Sequence, residues 1–151
     1  MTRATLSRTL TIANETSQLQ AVRVFVADAV THSPVPRAFL NGIILAVDEA
    51  VTNIITHAYS EGRHDTIEIS LLVEPSRFEV VIRDSGTTFD PKTIPEPDMQ
   101  TQMNQARRHG LGIFLMRRVM DEVEYLFKEG VRNELRMVKY LNGQPRRTGR
   151  T

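Results

Sequence analysis

Glu49 and Asn53 stand one i, i+4 step apart in the stretch LNGIILAVDEAVTNIITHAY, Leu40 to Tyr59. On a helix, that spacing projects a carboxylate and an amide oxygen side by side. Both are hard acceptors of the kind that a phosphate-bound metal ion takes. Gly42 and Ala46 continue the same face, where a merely solvated helix would carry several Lys, Arg or Glu; their small size is read as leaving the surface open. A second set is Asp84 with Gly86, in DSGTTFDP at residues 84–91. The third is Gly110-Leu111-Gly112, where glycines let backbone approach a ligand and the N–H groups and positive dipole end of a following helix suit a phosphate. Each set alone has a plain structural alternative. Glu49 and Asn53 could be a solvated face, Asp-x-Gly is ordinary turn chemistry, and a lone Gly-x-Gly is a weak signal.

The elements that must position these residues can be read from periodicity. Leu40, Ile44, Val47, Val51, Ile54 and Ala58 recur at four- and three-residue steps, which predicts one helix with those residues as its core stripe. Leu6 to Ala13 alternates and is Thr-rich, a first strand at a sheet edge. From Thr16 to about His32, Leu19, Val22, Val26, Ala29 and Val30 repeat at helical spacing, with Ser17 and Gln20 as a capping box. Ser33-Pro34-Val35-Pro36 stops that helix, and Pro36 is set for the first turn of the next.

Ile67, Ile69, Leu71 and Val73 lie on one face of a strand from Thr66; Glu74 to Arg77 turns it; Phe78, Val80 and Ile82 resume the alternation up to Asp84, which predicts an antiparallel hairpin. Residues 87–109 carry Pro91, Pro95 and Pro97 without clear periodicity, the pattern of either a disordered segment or a functional lid; the lid is the favoured reading, with a short helix expected near Asp98 to Arg107. Leu111, Phe114, Leu115 and Val119 begin a new helix that ends near Asp121. Val123, Tyr125 and Phe127, then Leu135, Met137 and Val138 to Tyr140, predict a closing hairpin. Helices separated from hairpin-connected strands argue for an α+β two-layer sandwich, a mostly antiparallel mixed sheet with helices on one face. Residues 1–141 are read as one domain and 142–151 as a flexible basic tail.

Composition narrows the chemistry. The chain has no Cys, which excludes thiol catalysis, zinc-thiolate sites and disulfides and fits a reducing cytoplasm. The 19 basic and 18 acidic residues leave a net charge of +1, so no global field favours nucleic acid or an anionic membrane. The N-terminus has no apolar signal region, and no apolar run is expected to reach the roughly 20 residues of a membrane span. The four histidines lack metal-ligand spacing, and no Gly-x-x-x-x-Gly-Lys-Ser/Thr motif occurs.

The order of the three sets is less common than any one of them. Glu-x-x-x-Asn on a helix, a hairpin ending in Asp-x-Gly-x-x-Phe-Asp-Pro, a variable lid and Gly-x-Gly before a helix resemble the asparagine box and two glycine boxes of the GHKL superfamily, whose members share a Bergerat-type ATP site. LAVDEAVTNIITHAY, DSGTTFDP and HGLGIFLMRRVMDEVEY look closest to the anti-sigma-factor serine kinases of bacteria, over about residues 5–141.

That resemblance implies a protein serine/threonine kinase that takes ATP or ADP with Mg²⁺, binds a sigma factor and phosphorylates an anti-anti-sigma (STAS-type) protein in the cytoplasm. It implies no direct nucleic acid and no membrane as partners, and leaves a homodimer open. Glu49 matches the catalytic base and Asn53 the Mg²⁺ ligand. Asp84 matches the acceptor of the adenine amino group, with Gly86 leaving room for the ring. Gly110, Leu111 and Gly112 match the phosphate loop. His109 stands where relatives often carry Gly or Arg, which shifts phosphate neutralisation to Arg107 or Arg108. The final strand, from Arg132 to Met137, lacks the Gly-Thr that often contacts nucleotide, so the last box is unassigned. The alternative from a different class is a nucleotide-dependent partner-binding module without kinase turnover.

Overall fold

The computed structural model describes residues 6–57, 64–86, 110–128 and 132–141, of which 57, 110–113 and 127–128 are described by backbone alone. The expected lid, its short helix, Arg107, Arg108, His109 and the basic tail lie outside the described residues. Strands β1 (Leu6–Ala13), β2 (Thr66–Glu74), β3 (Arg77–Asp84), β4 (Glu122–Lys128) and β5 (Arg132–Tyr140) form a five-stranded sheet in the order β1-β2-β3-β5-β4. Helices α1 (Leu19–Thr31), α2 (Leu40–His57) and α3 (Gly110–Val119) complete an α+β fold. Every pairing among the described strands is antiparallel.

Period-two alternation builds the core. Ile67, Ile69, Leu71 and Val73 of β2 and Phe78, Val80 and Ile82 of β3 are all at most 1% exposed. Alternate residues face the other side, where Arg83 donates to Glu134 at 2.6 Å and to Glu68 at 3.1 Å, and Arg136 donates to Glu79 at 3.0 Å. Cross-strand charge pairs of this kind contribute roughly 0.2–1 kcal/mol each.

In α2 the buried set is Ile43, Ala46, Val47, Ala50, Val51, Asn53 and Ile54. Leu40 and Ile44 are only partly buried, so the core stripe is wider than expected and centred one residue away. The small-residue face is covered, not open. Ala46 is fully buried, and a Cβ on Gly42 would lie 3.2 Å from Val119 Cγ1 of α3. The small residues admit a neighbouring helix, not a ligand. Val51, Thr52, Ile54 and Ile55 are β-branched and modest helix formers, so burial holds this half helical.

Two local expectations fail at helix starts. A 3₁₀ turn at Thr16–Gln18 precedes α1, and its N-cap Gln18 makes no side-chain cap hydrogen bond. Ser17 donates to Glu15 at 3.4 Å and Gln20 accepts from Arg23 at 3.2 Å, so no capping box forms. Pro36 likewise precedes a 3₁₀ turn, Arg37–Phe39, and not α2 itself. Arg37–Thr56, from that turn through most of α2, spans 20 residues and is long and apolar enough to cross a bilayer by length and composition, contrary to expectation. Most of its large apolar side chains pack the core, and Leu45 is exposed.

Candidate functional site

Glu49 and Asn53 lie one turn apart in the C-terminal half of α2. Asn53 is 5% exposed, and among the described residues its Nδ2 has no hydrogen-bond partner. A buried amide N–H left unmade costs about 1–3 kcal/mol, so such a group calls for a partner such as a water, an ion or a ligand. Glu49 is half-buried. Desolvation pushes its carboxyl above the usual range, and the charge of Asp48 adds to that rise.

Asp48 itself receives a hydrogen bond at 2.9 Å from Arg23 Nε of α1. This ion pair links α1 to the helix that carries Glu49. It was not visible as a site feature in the sequence, since Arg23 and Asp48 are 25 positions apart.

Asp84 closes β3 and is 6% exposed. Its Oδ1 accepts the Gly86 N–H at 2.7 Å and the Asn133 Nδ2 at 3.0 Å. Asp-x-Gly is therefore a turn with a buried carboxylate at its corner. Asn133, absent from the sequence-derived set, also donates to the Gly86 carbonyl at 3.0 Å. The available signal was an amide in line with the buried Leu135 and Met137. A cavity of about 290 Å³ opens at this end of the sheet, lined by Thr11, Thr66, Glu68, Arg83, Asp84, Ser85 and Arg132.

Gly110 and Gly112, with Leu111 between them, form the first turn of α3, where helix N–H groups have no intrahelical acceptor. Val119 at the other end of α3 packs against Gly42 near the start of α2. Asp84 ends β3 opposite Ile67, near the start of β2. Among the described residues, α2 contacts both α3 and β3, which links the elements that carry the three expected sets. Arg108 lies outside the described residues.

Nucleotide and Mg²⁺ can be tested against these groups. The Asn53 amide offers a hard oxygen for a cation and an unsatisfied N–H for an anionic oxygen. Among the described residues no group of three His, Asp or Glu is placed to hold a metal by itself, so a cation here would draw other ligands from phosphate and water, the usual coordination of Mg²⁺. The donor set fits a metal–nucleotide pair.

Comparison with known proteins places the chain in a family. Residues 12–139 match the model of the histidine kinase-like ATPase domain. Similar proteins include the serine-protein kinase RsbW of Listeria monocytogenes, 35% identical over 65% of this chain and 64% of that protein, and RsbW of Bacillus subtilis, 36% identical over 66% and 64%. The chain therefore spans less than two thirds of the length of these curated relatives. The crystal structure of the RsbU and RsbW domains of a Mycobacterium tuberculosis protein superposes with a TM-score of 0.67 at 14% identity, covering 95% of this chain and 34% of that one; at that identity the likeness concerns the fold. Glu49-x-x-x-Asn53, Asp84-x-Gly86 and Gly110-Leu111-Gly112 all fall within the matched span, and the chain belongs to the histidine kinase-like ATPase family.

Proposed function

We propose that the chain is an ATP-dependent protein serine/threonine kinase and anti-sigma factor, which holds a sigma factor and phosphorylates a small anti-anti-sigma protein of the STAS type. The observation that carries this reading is the pairing on α2 of a half-buried carboxylate, Glu49, with a buried amide, Asn53, whose N–H is unsatisfied. The names of the RsbW relatives, serine-protein kinases, support the reaction class.

Each residue has a distinct task on this reading. Asn53 would hold Mg²⁺ through Oδ1, and the ion would supply charge neutralisation for the phosphates. Asp84 accepts a hydrogen bond from the 6-amino group of adenine, which selects adenine over guanine. The first turn of α3, with Gly110, Leu111 and Gly112, offers N–H donors to phosphate oxygens; Arg108 just before it adds a positive charge. Glu49 takes the proton of the serine or threonine hydroxyl. Its raised basicity suits this task, since a stronger base still ionised at working pH accepts a proton more readily.

Incubation with Mg²⁺-ATP and a candidate antagonist, followed by mass spectrometry of that antagonist, tests the proposal. Phosphate on one Ser or Thr is expected, with none when Mg²⁺ is chelated. Nucleotide binding and stable partner capture without phosphate on any cognate antagonist would instead establish a binding module.

A further inference from the structure

Asn133 is an amide on the apolar side of the sheet. It is 9% exposed, and the next residues on that side, Leu135 and Met137, are 3% and 0% exposed. Strand register sets it directly opposite Asp84. Its Nδ2 reaches two acceptors, Asp84 Oδ1 and the Gly86 carbonyl oxygen, each at 3.0 Å. Gly86 in turn donates its N–H to the same Oδ1 at 2.7 Å. An amide NH₂ has two hydrogens, and both acceptors are served by this one nitrogen.

Asn133, Asp84 and Gly86 therefore form a closed ring of three hydrogen bonds. Gly86 lies two residues past Asp84, where the β3 ladder has ended. The ring continues the constraint beyond the strand, because its three bonds tie Gly86 to both the Asp84 carboxylate and the Asn133 amide. A hydroxyl at position 133 would have a single hydrogen and could close only one of the two Asn133 bonds.

We propose that Asn133 is a positioning residue for base selection: by tying Asp84 Oδ1 to the Gly86 carbonyl, it fixes the carboxylate in the orientation from which it reads a purine 6-amino group. This rests on the reading of Asp84 given above. Adenine selectivity then belongs to the three-residue ring and not to Asp84 alone.

Calorimetry on the full chain with Mg²⁺-ADP and with the Mg²⁺ complex of purine riboside diphosphate, which lacks the 6-amino group, separates the two claims. Wild type should favour ADP by about tenfold or more, the scale of a hydrogen bond to a charged acceptor. In Asn133→Ala that ratio should fall below about threefold, while purine riboside diphosphate binds as in wild type. Asn133→Thr, which keeps one donor, should restore part of the ratio, and it serves as the reading if thermal melting shows the Ala variant unfolded. A wild-type ratio retained in both variants would overturn the role of Asn133 and leave Asp84 as the reader. Equal loss of both nucleotides would also overturn it, making the ring purely structural. No preference in wild type would overturn the Asp84 reading and this one together.

Discussion

Arg23 Nε on α1 donates to Asp48 Oδ1 on α2 at 2.9 Å, and Asp48 directly precedes Glu49. The pair is partly exposed, with the two side chains at 42% and 21%, so its direct worth is small, about 0.2–1 kcal/mol. Asp48 also acts on its neighbour Glu49. The negative charge of Asp48 is the second cause of the raised Glu49 carboxyl, after desolvation. Asp48→Asn should therefore lower the Glu49 midpoint while leaving it above an ordinary glutamate, because burial persists. Carboxyl-carbon NMR titration reads this directly, and an unchanged or higher midpoint would contradict the Asp48 contribution.

The raised Glu49 carboxyl also fixes a sign for stability. A group whose folded-state midpoint lies above its unfolded one contributes stability that is fully present below the unfolded value and is lost as pH rises through the folded one. Ionised Glu49 thus costs stability at neutral pH. Glu49→Gln should melt higher than wild type at pH 7, with the gap closing as pH falls through and below the usual glutamate range. Melting curves from pH 4 to pH 8 check this; a variant less stable at pH 7 would contradict it.

Much of the fold was legible in the sequence because the strands alternate strictly. β1 begins and ends at the residues expected, Leu6 and Ala13, and the hairpin through Asp84 follows Ile67, Ile69, Leu71, Phe78, Val80 and Ile82. The α2 face was misjudged for a physical reason. Gly42 and Ala46 are small both where a ligand approaches and where a helix packs, and only the position of Val119 distinguishes the two. Asn133 was illegible as a partner of Asp84 because the relation runs through strand register, across 49 positions. Arg108 and the expected lid lie outside the described residues.

Asn53 should show a trade between stability and binding. Asn53→Ala deletes a buried amide whose N–H is unsatisfied, which offsets the cavity that it leaves. The net change in folding free energy is expected within about 1 kcal/mol. Mg²⁺-ATP affinity should fall, and the remaining affinity should respond less to EDTA than wild type does. Calorimetry with and without chelator checks this; unchanged Mg²⁺-ATP binding would remove Asn53 from the site.

Gly42 should tolerate little. Alanine gains about 1 kcal/mol of helix propensity but meets Val119 at 3.2 Å, so the two terms nearly cancel. Gly42→Leu has no such offset and should destabilise by roughly 1–3 kcal/mol through overpacking of α3. Urea denaturation measures both, and a Leu variant as stable as wild type would contradict the close α2–α3 contact.

The central claim is that Glu49 is the base of a phosphoryl transfer, and single-turnover transfer from γ-labelled ATP to a cognate antagonist tests it most directly. Nucleotide affinity is measured in parallel for wild type and Glu49→Ala. A general base contributes typically about 10²–10⁴-fold to rate and little to ground-state binding. The variant should therefore bind Mg²⁺-ATP and partner as wild type does while transferring phosphate at least about a hundredfold more slowly. Equal transfer rates in the two proteins would contradict the account.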